Sequence, residues 1–260
     1  MMRGILFDLD GVFYVGERLI EGAPETLAWC AAQNIPYLFI TNTTSRPPRA
    51  IGSKLAALGI HTDEGMIMSP PVAAVDYLRR HGLRKVSLYI SESTRQLFTD
   101  FEIVASDAVV DAVIIGDMGE GWHYAVLNRA LRQLMHVPAP QLLALGMTRY
   151  WQAPDGLRLD AGAFVAAFEY ASGVKPVVLG KPAVEFFHSA TARLELTANE
   201  VLMIGDDIRG DIAGAQAAGL HAVLVRTGKF RETDLQSDIR PDAVLDSIAD
   251  LPAWWASRCG

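Results

Sequence analysis

Cysteine is almost absent from this chain: Cys30, inside an apolar helical pattern, and Cys259, beside the C-terminus, are its only two. Two such residues make neither a disulfide framework nor a thiolate metal cluster, and they fit a reducing compartment. Histidine is scarce as well. His61, His81, His123, His136, His188 and His221 stand singly, so no His/Cys set competes for zinc, and all six read as core or surface residues. Basic tracts are missing and the net charge is −7, which argues against nucleic acid or anionic membrane as a partner. Nowhere do the roughly 18 consecutive apolar residues of a membrane span occur. Met1-Met2-Arg3 runs into a strand pattern without a secretory apolar region. The expectation is a cytoplasmic protein. Internal repeats and low-complexity stretches are lacking too.

Apolar residues are plentiful. Half of the 260 residues are hydrophobic, enough to bury one large core or two smaller ones. Their pattern alternates between strand and helix. Short apolar runs predict strands at 4–9, 37–41, 66–69, 86–90, 112–116, 142–145, 201–205 and 221–225. Helical patterns lie between them, among them 24–33, 71–81 with Gly82 as its stop, and 208–218. Such alternation predicts an α/β fold, a Rossmann-like parallel sheet with right-handed crossovers. The acids that look chemical lie near both chain ends, at 8–10 and 206–211. The stretch between them has a strand–helix rhythm of its own and is about domain-sized. The expected division is therefore a core of residues 1–82 and 179–260, with residues 83–178 inserted as a second α/β domain. Residues 228–242 are charged and turn-rich, and read as a surface excursion.

Four segments place polar groups straight after an apolar run or a glycine, as parallel sheets present ligand-binding groups. In Asp8-Leu9-Asp10-Gly11, side chains two apart on a strand face the same way, so both carboxylates can reach one point; a simple turn at Asp10-Gly11 is the alternative. Asp206 follows Gly205 at a strand tip. Asp207 and Asp211 suit ligation, but equally a helix cap and a first-turn acid. Two carboxylates about 4 Å apart repel by roughly 4 kcal/mol at an effective dielectric near 20. If Asp8, Asp10 and Asp206 converge, a cation must offset that repulsion, and Mg²⁺ is the hard cation that shares its shell with phosphate. Thr41-Asn42-Thr43-Thr44-Ser45 offers hydroxyls and N–H groups to an anion, or merely a capped helix entrance with Ser45 as cap. Lys181, between Gly180 and Pro182, is either a solvated lysine or a point charge for a phosphate.

In this order, Asp-x-Asp, Thr41, Lys181 and Gly-Asp-Asp-x-x-x-Asp resemble the four motifs of the haloacid dehalogenase superfamily, and the long insertion resembles the large α/β cap of its NagD-like branch. Arg149-Tyr150-Trp151 with Asp155-Gly156-Leu157, Phe168-Glu169-Tyr170-Ala171, Val177-Val178-Leu179-Gly180-Lys181-Pro182 and Arg226-Thr227-Gly228-Lys229-Phe230-Arg231 are similar to the phospholysine phosphohistidine inorganic pyrophosphate phosphatase group. Some members of that group carry Ser where this chain has Asp10. The resemblance implies a Mg²⁺-dependent phosphatase for small phosphorylated molecules. Asp8 would be the nucleophile that forms an aspartyl-phosphate, and Asp10 the general acid and base. Asp8, Asp206 and the Asp10 carbonyl would hold the metal, with Asp207 and Asp211 behind them. Thr41, Asn42 and Lys181 would hold the phosphoryl group. The cap would set specificity, Arg149 and Trp151 being candidates for the leaving group, and its surfaces could pair two copies. Pyrophosphate, phosphoamino acids, sugar phosphates and nucleotides all stay open as substrates. A dehalogenase would need neither Asp10 nor the Asp206 cluster. A phospho-accepting regulatory domain would need neither Asp10 nor a cap.

Overall fold

The structure, a computed structural model, describes residues 1–153 and 155–259; the side chain of Cys259, and with it the expectation for that thiol, lies outside the described residues. Two compact units emerge: residues 1–41, 48–68 and 181–260 form the first, residues 42–47 and 69–180 the second.

The first unit is built on a six-stranded parallel sheet in the order Ala243–Leu245, His221–Val225, Val201–Gly205, Gly4–Asp8, Tyr37–Ile40, Ile67–Met68. Gly4–Asp8 is central and buried at every position, as a continuous apolar run in a sheet covered on both faces should be. Its neighbours are set in register, Phe7 beside Ile204 and Phe39, and Asp8 beside Ile40. Phe13 packs edge to face on both Phe7 and Phe39, 5.2 Å from each ring. Ile5, Ile204 and Val223 belong to the same core, where each such buried side chain contributes about 1.5–3 kcal/mol.

The second unit has a five-stranded parallel sheet in the order Pro176–Val178, Gln141–Ala144, Ala112–Ile115, Lys85–Tyr89, Glu102–Ile103. Helices Tyr124–Leu134 and Ala161–Ser172 pack on it through Val126, Ala130, Val165 and Phe168. A hairpin, Tyr150–Ala153 with Gly156–Leu159, stands apart from this sheet.

The α/β class and the parallel pairing follow the sequence pattern. Differences lie in short pieces. The hairpin Tyr14–Val15 with Arg18–Leu19 and the strands Glu102–Ile103, Pro176–Val178 and Ala243–Leu245 are two or three residues each, too short for periodicity to register. The helix after Thr41–Ser45 starts at Pro48, beyond Ser45. The expected helix 208–218 opens as a wide π-type turn, Ile208–Ala213, before Gly214–Ala217.

Candidate active site

From Gly4–Asp8 the chain first builds the sheet to one side, through Tyr37–Ile40 and Ile67–Met68, and later to the other, through Val201–Gly205. The carboxyl ends of the strands flanking such a reversal open a crevice. Asp8 ends the first strand, Thr41 follows the second and Asp206 follows the strand ending at Gly205.

Asp8, Asp206 and Asp211 offer carboxylate oxygens that all lie within 4.8 Å of one another, and all three are buried. Lys181 stands among them, its Nζ 2.7 Å from Asp8 Oδ1 and 2.8 Å from Asp211 Oδ1. Burial opposes the charge on Lys181, but Asp211 and Asp8 together outweigh it and hold the ammonium above its ordinary value. Asp211 is used on both sides. Its Oδ2 accepts the N–H groups of Asp206 at 3.2 Å and Asp207 at 3.1 Å while Oδ1 faces Lys181. Burial pushes the Asp211 carboxyl up and Lys181 resists.

Asp206 is arranged differently. Oδ2 accepts the backbone N–H of Lys229 at 2.7 Å, whereas Oδ1 is buried without a partner. Burial, reinforced by Asp8, raises its pKa to about 6 against the opposing Lys229 N–H. A buried oxygen left unpartnered costs about 1–3 kcal/mol unless something outside the chain occupies it. The ligand atoms that Asp8, Asp206 and Asp211 offer are all carboxylate oxygens, which suits Mg²⁺.

Asp207 turns away to cap the following turn, accepting the N–H groups of Arg209 at 3.0 Å and Gly210 at 2.8 Å. Burial works to raise its pKa, yet the Gly210 N–H, the Lys229 charge and the Arg209 N–H outweigh it and hold the carboxyl below its ordinary value. Asp10 is exposed, and Gly11 after it donates its N–H to the Tyr14 carbonyl at 2.7 Å. Thr41 is half-buried and donates its N–H to the Met68 carbonyl at 3.0 Å. Asn42 is exposed and belongs to the second compact unit.

The surface excursion from residue 228 is exposed or half-buried throughout, but its first residues also reach the acids. Besides the Lys229 N–H on Asp206, the Thr227 hydroxyl donates to the Gly11 carbonyl. Gly228 (φ +64°) and Gly11 (φ +92°) both sit where a Cβ would fall on Asp206 Oδ2. Charge and turn residues hid this segment. The available signal was Thr227-Gly228 just past the apolar run 222–225, the same strand-end position that marks Asp8 and Asp206.

Two family descriptions match the chain: haloacid dehalogenase-like hydrolase over residues 5–104 and HAD-hydrolase-like over residues 178–251. The phospholysine phosphohistidine inorganic pyrophosphate phosphatase of Rattus norvegicus is 38% identical over 254 residues, covering 96% of this chain and 92% of the relative. NagD from E. coli superposes with a TM-score of 0.84 at 24% identity, over 96% of this chain and 98% of that one. The H170Y mutant of the thermostable p-nitrophenylphosphatase from Bacillus stearothermophilus gives 0.83 at 27% identity, over 96% and 97%. The chain belongs to the haloacid dehalogenase-like hydrolase family. Within that family it is a phosphatase, as the resemblance implied.

Proposed function

We propose that this protein is a Mg²⁺-dependent phosphatase that hydrolyses small phosphorylated molecules through an aspartyl-phosphate on Asp8. The observation that carries this reading is the pairing of a lysine-bound, buried Asp8 with an unpartnered, buried Asp206 oxygen. Asp8 attacks phosphorus in line while Lys181, already on its carboxylate, holds the nucleophile and a phosphoryl oxygen. Thr41 and the backbone at Asn42 hold the other phosphoryl oxygens. Asp10, exposed and two residues on, protonates the leaving group and then draws the proton from the attacking water. Asp8, Asp206 and the backbone carbonyl of Asp10 would hold Mg²⁺, which when bound neutralises charge on the transferring phosphoryl group. Asp211, with both oxygens engaged, keeps Lys181 and the 206–207 backbone in place, and Asp207 fixes the turn behind them.

For the substrate we carry over the class that the rat relative's name specifies, phosphoamino acids and pyrophosphate. Sugar phosphates and nucleotides are the next class to assay. We assign residues 83–178 the part of a cap. Supporting this, Tyr150 and Trp151 are 51% and 45% exposed rather than packed in a corner, and the Arg149 guanidinium lies 5.8 Å from the Tyr150 ring. Among the described residues no helix is long and apolar enough to cross a membrane. Cytoplasmic residence and a homodimer complete the reading, the latter testable by light scattering.

Turnover of an aryl phosphate with and without Mg²⁺ is the deciding experiment. Repeated turnover that stops in excess chelator supports the reading. A single burst with a lasting phosphoprotein would support a phospho-accepting regulatory domain instead, and full activity in chelator would remove the metal.

A further inference from the structure

We infer that the loop Thr227-Gly228-Lys229 is a positioning element that decides which oxygen of Asp206 is left for the metal. The inference rests on the metal reading above. Three contacts converge on this loop. The Lys229 N–H takes Asp206 Oδ2 at 2.7 Å, leaving Oδ1 buried and without a partner. Without that donor the carboxylate is free to turn, and either oxygen can face the crevice. Gly228 lets the loop come close enough to donate, since a Cβ there would fall on Asp206 Oδ2 and on the Gly11 Cα. At φ +64° a side chain would also be strained.

The Thr227 hydroxyl extends the effect to a second ligand. It donates to the carbonyl of Gly11, the residue after Asp10, and Gly11 is tied on its other side to the Tyr14 carbonyl. Gly11, the residue after Asp10, is thereby held at both its N–H and its carbonyl. One loop thus orients the Asp206 carboxylate and steadies the backbone after Asp10, while Lys181 contacts Asp8 and Asp211. The role belongs to the backbone of residues 228 and 229 and to one hydroxyl; the Lys229 ammonium lies 3.7 Å from Asp207 Oδ2.

Metal binding measured directly on metal-free protein separates this from a merely structural role. Mg²⁺ titration calorimetry should give Thr227→Val a dissociation constant about tenfold weaker than wild type, the worth of one hydrogen bond. Thr227→Ser, which keeps the hydroxyl, should return to within about twofold of wild type. Gly228→Ala should weaken binding by more than the roughly 10–100-fold seen when supports of a metal site are lost. At saturating Mg²⁺ the KM of Thr227→Val for an aryl phosphate should match wild type, because Thr41 and Lys181 are untouched. Equal Mg²⁺ affinity for wild type and a folded Thr227→Val would overturn the inference, as would equal weakening in Thr227→Val and Thr227→Ser. If wild type itself bound no Mg²⁺, the metal reading would fall, which is a different result. Should Gly228→Ala not fold, the Thr227 pair still decides.

Discussion

Each unit of this chain holds an open parallel sheet whose first strand in sequence order among its long ones, Gly4–Asp8 or Lys85–Tyr89, is flanked on both sides by later strands. At the carboxyl ends they diverge. In the first unit the strands run out into Asp8, Thr41 and Asp206; in the second they run out into Ile90, Gly116, Leu145 and Leu179. Burial follows suit. Among the described residues, Asp8, Asp206, Asp211 and the Lys181 side chain are charged and buried in the first unit, while the buried polar side chains of the second are the neutral Ser69, Ser87, Thr94 and Gln133. In the second unit Tyr89 donates its hydroxyl to Gln133 at 2.8 Å, and Gln133 donates to the Ser106 carbonyl at 2.7 Å. That network is satisfied within itself and needs no ion. In the first unit Asp206 Oδ1 is buried without a partner among other acids, whereas the unpartnered buried oxygen of the second unit is the neutral Ser69 Oγ. The same architecture thus carries either neutral polar groups or a cluster of acids, according to a few residues at strand tips.

The sharpest way to test that contrast is to substitute each centre. Asp8→Asn should lower turnover by roughly 10³–10⁶-fold with the fold intact, since the mechanism proposed above gives the attack to Asp8. Tyr89→Phe should leave turnover unchanged and cost about 1 kcal/mol of stability. Steady-state kinetics and denaturant unfolding on both variants check this. An Asp8→Asn protein that keeps a few per cent of activity would remove the nucleophile assignment.

Next in size is Asp10. It is exposed, unlike the buried Asp8, Asp206 and Asp211, and the mechanism proposed above has it protonate the leaving group. Asp10→Asn should slow turnover by roughly 10²–10⁴-fold, less for an aryl phosphate than for an alkyl phosphate. Equal losses on the two substrates would point to a structural role.

These residues were legible for a definite reason. A buried parallel strand is a short apolar run, so a polar residue at its end stands out as a candidate; Asp8, Thr41 and Asp206 were singled out that way, beside the turn and capped-helix readings. What escaped was whatever depends on approach between distant segments. That Asp211 divides its oxygens between Lys181 and two N–H groups, or that Gly228 exists to clear Asp206, follows from three-dimensional distances that no local pattern encodes. Edge strands such as Ala243–Leu245 escaped because three residues are too few to show a period.

The two buried acids near Lys181 offer a finer division. Asp206→Ala should weaken Mg²⁺ binding by more than the roughly 10–100-fold typical of groups that support a metal site, and Asp211→Ala should stay within that range. Asp211→Ala should instead lose on the order of 3–5 kcal/mol of stability, because it leaves a buried ammonium half-paired. Equal metal affinities in the two variants would erase the distinction between them.

Proton and metal should compete at Asp206. Its pKa in the folded, metal-free protein is raised from 3.8 to about 6. A raised carboxyl stabilises the fold in its protonated form; that contribution is complete below the ordinary pKa and is lost as pH climbs through about 6. Mg²⁺ requires the ionised form. The rise in Tm given by saturating Mg²⁺ should therefore be small at about pH 5 and grow to a plateau near pH 7. A flat response across that window would show that Asp206 does not take the ion.

The smallest expected effect concerns the second unit, where the comparison predicts selection without chemistry. Trp151 lies on the hairpin Tyr150–Ala153 with Gly156–Leu159 and borders a cavity of about 460 Å³ that Trp122, Phe164, Arg158, Asp117 and Asp160 also line. Trp122 stacks on Phe164 with ring centroids 4.4 Å apart, so one wall is a rigid aromatic face while Trp151 stays exposed. An exposed indole beside a guanidinium suits a flat or charged leaving group through stacking and cation–π attraction, each worth about 0.5–1.5 kcal/mol. Trp151→Ala should accordingly change the ratio of kcat/KM between an aromatic and an aliphatic phosphate ester by about 2–10-fold. Reactivity toward acetyl phosphate, which offers no ring to stack, should stay within about twofold of wild type. A uniform fall across all three substrates would mean that the second sheet reaches the chemistry after all, and the contrast between the two units would have to be redrawn.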